Sequence, residues 1–370
     1  MIHVTRYRVY PSREIQNIVF ENFDICTAVR NWCLDNKIFD VRVLPVLKRD
    51  NEDLKRVHSN VLQNMIFQME ENVRGLSVAK IQGVKVGNLR YKTVRSLIYE
   101  GTGFRVVGKI LMLGKIGEIP IVITRPIPGI IKQVVLKFTK THKWFVSIIS
   151  KTPDEPIIRD GTRTVGIDMN LVNFSTDTDG RVFEHPHNVK RAAQQLGRAQ
   201  RKMSRKIKGS NNRRKQRLKV AKIYEKVESR RDDFLHKWSN YYVQRYDRIA
   251  IEKLNIKEML EGRKFHGMNR VTLDAAWGKA REFLTHKAER AGCQFVAVDP
   301  SYTSQDCSRC GTRVPKGLSE RKHMCLFCGY NTDRDLNAAQ NIKNKAFYVG
   351  WGTPEFTPIE IGTSTKVIKS

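Results

Sequence analysis

The chain has 370 residues, 40% of them hydrophobic and 9% aromatic, which is enough to bury a core and excludes wholesale disorder. Lysine and arginine number 67 against 37 acids, a formal charge of +30 that disfavours a compact fold unless a polyanion neutralises part of it. No apolar stretch approaches the roughly 18 residues of a membrane span, and the N-terminus alternates like a strand instead of carrying a signal peptide's apolar run, so the expectation is a cytoplasmic partner of nucleic acid with no membrane association.

The length suggests two or three domains. Residues 12–80 read as helical: Val61, Leu62, Met65, Ile66, Met69, Val73 and Leu76 recur at steps of three to four, the spacing of one helix face. Ser59 stands where an N-cap is expected. From about Phe104 to Ser150 the pattern changes to short β runs, with Ile119–Ile123 as one strand and Val134–Phe138 and Trp144–Ile149 as a hairpin. Pro120, Pro126, Pro128, Pro153 and Pro156 favour a small barrel or sheet over long strands, and a domain boundary is expected near Pro153–Thr162. Thr164–Asp168 then reads as an apolar strand ending in a carboxylate, and Asn173–Thr176 and Arg181–Phe183 as two strands turning at Asp179-Gly180. A long helical pattern over residues 190–246 is interrupted at Gly209-Ser210-Asn211-Asn212. The strand Arg248–Ile251 ends at Glu252, a helix at Leu273–Ala291 leads into the strand Gln294–Val298, and Asp335–Ala346 reads as a last helix. The tail from Gly350 is expected to be loose.

Four of the seven cysteines form two C-x2-C pairs, Cys307/Cys310 and Cys325/Cys328, separated by 14 residues and each followed by glycine. Each pair sets two thiolates about one tetrahedral edge apart, so together they can close one structural zinc site with no open position for catalysis. A redox dithiol is the alternative for such pairs. Cys26, Cys33 and Cys293 lie in apolar surroundings and are expected to be buried thiols.

The segment Lys190–Arg231 holds 17 lysines or arginines in 42 residues against two acids, Glu225 and Glu228. A solvated helix face needs compensating acids one turn away, and these are nearly missing. Arg201, Lys202, Arg205, Lys206 and Lys208 before the break, and Arg213, Arg214, Lys215 and Arg217 after it, are therefore expected to contact phosphates without base specificity. Asp168, Glu252 and Asp335 end two apolar strands and open a helix. Three such groups converging would make a hard-oxygen site for Mg²⁺, although acids at strand ends are common for other reasons.

The motifs Gly166-Ile167-Asp168, Ile251-Glu252-Lys253-Leu254-Asn255-Ile256 and Asp333-Arg334-Asp335-Leu336-Asn337-Ala338-Ala339 resemble, in order, the three RuvC-like motifs of TnpB. TnpB is the RNA-guided nuclease of insertion sequences, related to the type V CRISPR effectors. Asp299-Pro300-Ser301-Tyr302-Thr303-Ser304-Gln305, Ser210-Asn211-Asn212-Arg213-Arg214-Lys215 and Asp232-Asp233-Phe234-Leu235-His236-Lys237 are similar to the same family. The likeness is close over about 160–346 and one of layout only before that. Asn170 departs from it, standing where many members have glycine, and is expected to lie off the carboxylate set.

The resemblance implies an α/β fold: an RNase H-like RuvC nuclease domain with an inserted four-cysteine zinc ribbon, plus an N-terminal helical recognition region and a small β-barrel wedge domain. Its domains would be a wedge barrel with inserted helices over 1–158, the first part of the nuclease over 159–300 with the basic helices at 190–231, the ribbon over 301–330, the last part of the nuclease over 331–349, and a flexible tail over 350–370. It further implies that catalytic Asp168, Glu252 and Asp335 hold two Mg²⁺ about 4 Å apart, with one structural Zn²⁺ on the cysteines. The implied partners are a guide RNA from the transposon end and a double-stranded DNA target bearing a short flanking motif, bound by a monomer in a prokaryotic cytoplasm at the nucleoid. A nuclease-inactive RNA-guided repressor and a guide-independent transposase or resolvase are the alternatives.

Overall fold

A computed structural model describes residues 1–153, 157, 159–261, 266–317 and 320–348. The tail expected to be loose lies outside the described residues. The chain forms two units, Met1–Asp154 and Glu155–Ser370.

The first unit is an antiparallel sheet of seven strands in the order β2-β6-β7-β1-β5-β4-β3. They are β1 (Ile2–Val9), β2 (Ser96–Glu100), β3 (Phe104–Val107), β4 (Ile110–Leu113), β5 (Gly117–Val122), β6 (Ile130–Phe138) and β7 (Trp144–Lys151). The edge strands β2 and β3 are joined by the single turn Gly101–Gly103, so the sheet curls round into a nearly closed barrel. The expected hairpin is present as β6–β7, with Leu136 opposite Val146. The helices α1 (Arg13–Asn36), α2 (Leu44–Asp50) and α3 (Ser59–Ile81) are inserted between β1 and β2. On α3 the expected face is buried at Val61, Leu62, Ile66 and Met69. Its N-cap is His58 and not Ser59: the imidazole Nδ1 accepts from the Asn60 N–H at 3.3 Å, while the Ser59 hydroxyl is taken by Lys48 Nζ at 2.7 Å. Cys26 and Cys33 are buried in this unit's core, as expected.

The second unit is built on a five-stranded sheet in the order β10-β9-β8-β11-β12. Strands β8 (Thr164–Met169), β9 (Asn173–Asp177) and β10 (Val182–Glu184) form an antiparallel meander, and β11 (Arg248–Glu252) and β12 (Gln294–Val298) add in parallel beside β8. Helices α4 (Asn188–Ser204) and α5 (Asn211–Arg245) follow the meander, and α6 (Ile256–Glu261), α7 (His266–Ala275) and α8 (Trp277–Arg290) lie between β11 and β12. One helix was expected across 273–291. The structure has two, because Ala276 adopts a left-handed φ of 51° that ends α7 and starts α8. Strands β13 (Lys322–Met324) and β14 (Asn331–Asp333) make a small ribbon before α9 (Arg334–Phe347).

The period-two alternation of β8 and β11 assigns the two faces of this sheet. Val165, Ile167, Ile249 and Ile251 are buried in one cluster with Trp238 and Tyr242 of α5 and Leu284 of α8. Gly166, Asp168, Ala250 and Glu252 fall on the opposite face, where Ala250 packs with Val298 and with Ile342 of α9. There α9 lies directly on the sheet. A Cβ on Gly166 would stand 2.1 Å from the Ala339 carbonyl oxygen and 2.6 Å from the Lys343 nitrogen, both backbone atoms that cannot rotate away. Replacing Gly166 with Ala should therefore push α9 off the sheet and cost about 1–3 kcal/mol, as overpacking of a tight core does. Thermal unfolding of Gly166→Ala beside wild type checks this, and an unchanged midpoint would mean that α9 tolerates displacement.

Candidate metal centre and cationic hairpin

Strands β8 and β11 run parallel with Ile167 opposite Ile251, so the next residue of each, Asp168 and Glu252, emerges at the carboxyl ends of neighbouring strands. Both are buried, at 8% exposure. Asp335 comes from the first turn of α9, where a carboxylate is favoured by the helix dipole. Asp333 is the N-cap, accepting from the N–H groups of Asp335 at 2.8 Å and Leu336 at 3.3 Å, so its carboxylate is committed to the helix.

Asn170 corrects the expectation that it lies off the carboxylate set. Its Nδ2 donates to Asp168 Oδ2 at 3.4 Å and to Asp335 Oδ2 at 3.2 Å. Its Oδ1 accepts from the Asn173 N–H at 2.8 Å, which fixes the amide's orientation. Sequence reasoning also missed Thr303, whose hydroxyl donates to Glu252 Oε1 at 2.5 Å. The segment Asp299–Gln305 was a signal for the family but carried no chemical role. Arg321 stands 3.9 Å from Asp335.

Burial shifts all three acids. Burial, and then the charges of Glu252 and Asp335, push Asp168 well above the usual carboxylate range. Burial pushes Glu252 up to about 7 despite the Thr303 hydroxyl and the charge of Lys345. Burial and then Asp333 raise Asp335, with Arg321 and Arg334 opposing. Three acids raised by burial, Asp168 further by the other two, are all oxygen donors and suit a hard divalent cation. The linkage follows in sign: a carboxyl raised in the folded state contributes stability below its unfolded pKa near 4.3 and loses it as pH rises through about 7. Metal-free protein should therefore lose thermal stability between about pH 5 and pH 8, and Glu252→Gln should flatten that slope. Melting curves across this range in EDTA are the check.

The four cysteines also converge. Their sulfurs all lie within 4.8 Å of one another, with Cys307–Cys328 at 3.7 Å and Cys310–Cys325 at 3.6 Å. A tetrahedral site with Zn–S bonds of about 2.3 Å has edges near 3.8 Å, whereas a disulfide needs about 2.05 Å. The spacing therefore fits a tetrathiolate metal site. Each knuckle closes with a glycine N–H donating to the first cysteine's carbonyl, Gly311 to Cys307 and Gly329 to Cys325, both at 2.9 Å. The φ values of 76° and 68° at these glycines are left-handed. Purified protein should carry about one zinc per chain, and Cys310→Ser should lower that content in a metal assay.

The knuckles are tied to α9 by buried asparagines. Asn337 Oδ1 accepts from the Ser308 N–H at 2.9 Å and its Nδ2 donates to the Asp306 carbonyl at 2.8 Å. Asn341 Nδ2 donates to the carbonyls of Thr303 at 2.8 Å and Asp306 at 2.6 Å. Thr303 thereby links α9 to Glu252.

The expected phosphate-contacting cations lie on the hairpin of α4 and α5. Arg201, Lys202, Arg205, Lys206, Lys208, Arg214, Lys215 and Arg217 are exposed. Arg213 is half-buried and turned inward, its Nη1 donating to the carbonyls of Met203 at 3.0 Å and Lys206 at 2.9 Å, so it closes the end of α4. Among the described residues none of the nine is in an ion pair, while farther along α5 Arg231 pairs with Asp274 and Lys237 with Asp233. Ser210 caps α5, accepting from the Arg213 N–H at 3.2 Å.

An α/β sheet bearing clustered carboxylates and a tetrathiolate ribbon is the class of protein that this fold and site define. Two family models match the chain. OrfB_IS605, described as "Probable transposase", matches residues 147–263, and the "Cas12f1-like, TNB domain" matches residues 277–342. The chain is 32% identical over 245 residues to "Putative RNA-guided DNA endonuclease InsQ" of Escherichia coli (strain K12), covering 63% of this chain and 61% of that protein. It is 34% identical over 258 residues to "Putative RNA-guided DNA endonuclease" of Streptomyces pristinaespiralis, covering 68% and 63%. The chain thus spans about three fifths of the length of these curated relatives. Among solved structures, the mini-RNA-guided endonuclease CRISPR-Cas_phi3 shares the fold with a TM-score of 0.52 at 8% identity, over 92% of each chain. These matches bear out the resemblance to TnpB that the motifs carry.

Proposed function

We propose that the protein is an RNA-guided DNA endonuclease of a transposable element, which cuts guide-matched double-stranded DNA beside a short flanking motif. The observation that carries this reading is the convergence of Asp168, Glu252 and Asp335 on one face of the sheet, with Asn170 between two of them. The names of the curated relatives point the same way. Asp168, Glu252 and Asp335 would hold two Mg²⁺, which when bound supply activation of the attacking water and stabilisation of the leaving 3′-oxygen. The chain's own residues do the positioning. Asn170 spaces Asp168 from Asp335, Thr303 fixes the Glu252 rotamer, and burial shields Asp168 and Glu252 from bulk water.

Sequence specificity would come from base pairing between a guide RNA, derived from the transposon end, and the target strand. The exposed cations of the α4–α5 hairpin would grip phosphates whatever the sequence. The four cysteines would hold a structural Zn²⁺ that keeps Thr303 and α9 in place.

Loss of one ligand to a shared metal pair should abolish the chemistry and leave binding to the basic surfaces. Asp168→Ala, Glu252→Ala and Asp335→Ala should each lose Mg²⁺-dependent cutting by at least about a hundredfold, yet bind guide RNA and matched DNA as wild type does. Cleavage and gel-shift assays on the same preparations read both. Cutting without the guide would point to a resolvase instead, and guided binding by wild type with no cutting in any divalent metal would point to a repressor.

A further inference from the structure

Tyr302 stands out beside the carboxylates. Its φ of 61° places it in the left-handed region, which a residue with a branched or bulky side chain adopts rarely. The conformation is locked: the Tyr302 carbonyl accepts from the N–H groups of both Gln305 and Asp306 at 2.9 Å. Core packing does not explain the residue type, because the side chain is 50% exposed. The Arg313 guanidinium lies 3.4 Å from the ring centroid, covering one face, and is itself held by Asp306 at 3.0 Å. What stays open is an aromatic surface backed by an anchored cation. The next residue, Thr303, donates to Glu252, so the ring is carried one residue from a group touching the carboxylate site.

We propose that Tyr302, backed by Arg313, is a stacking platform for an unpaired nucleobase of the DNA strand held at Asp168, Glu252 and Asp335. The inference rests on the nuclease reading for its substrate. Every base has a π face, so such a platform holds a single strand without choosing its sequence. The locked turn gives the ring a fixed direction, so it can align the strand as well as hold it.

The test uses the full chain with its guide RNA and a short single-stranded DNA carrying 2-aminopurine, in Ca²⁺ so that nothing is cut. Wild type and Tyr302→Phe should quench the fluorophore. Tyr302→Leu, apolar but without a ring, should lose the quench and bind roughly tenfold or more weakly. In Mg²⁺ the same variant should raise KM for cutting by a similar factor with kcat changed less. Its zinc content and melting midpoint should stay at wild-type values, which a purely structural Tyr302 would not allow. Quenching and KM retained in Tyr302→Leu would overturn the proposal, as would no quench by wild type. Stronger quenching with an RNA strand of the same sequence would overturn the assignment to DNA. Wild type that never cuts guide-matched DNA would defeat the nuclease reading, while the quench would still decide the platform.

Discussion

The second unit is organised around an electrostatic conflict: Asp168 and Glu252 are buried side by side at the ends of parallel strands, and Asp335 is brought to them from α9. Each is held above the usual carboxylate range by burial, so the site is unfavourable when all three are ionised and nothing offsets the charge. The surroundings oppose the repulsion only in part. Asn170 gives one nitrogen to two acids, Thr303 gives a hydroxyl to the third, and Arg321 stands at the rim. A protein that had merely to be stable would not assemble these groups, because three apolar side chains would serve better there.

The same site depends on where α9 lies. Gly166 lets it lie directly on β8, its first turn carries Asp335, and its asparagines reach into the loop that supplies Thr303. The four-cysteine ribbon is joined to the same helix through Ser308 and Asp306. An isolated knuckle of this size buries little apolar area, so this polar seam helps hold it in one orientation on α9.

The signals legible in the sequence were those that depend on local period or spacing. Short apolar runs in β8 and β11 put Asp168 and Glu252 at strand ends, and the two C-x2-C pairs gave a cluster whose sulfur spacing fits tetrahedral zinc. What escaped depends on contacts between distant segments. Asn170 lies 165 residues from Asp335, and Thr303 lies 51 from Glu252. No periodicity encodes either contact. Smaller misses share the cause: His58 displaces Ser59 as cap because Lys48 claims the serine hydroxyl, and Arg213 looks like its cationic neighbours until the end of α4 takes its guanidinium. Ala276 splits a helix at a residue with good helical propensity, a case of tertiary packing overriding local preference.

The position of α9 in the chain sets an order on synthesis. A ribosome that has released β8 and β11 has produced two acidic strand ends and the uncovered groove at Gly166, but neither the third acid nor the helix that fills the groove. The cationic hairpin of α4 and α5 has emerged by the time β11 does, well before the cysteines and α9. A nascent chain thus presents its exposed cations before it has a complete set of carboxylates. Truncation by a premature stop between α5 and α9 leaves a fragment that carries the cationic hairpin but lacks Asp335.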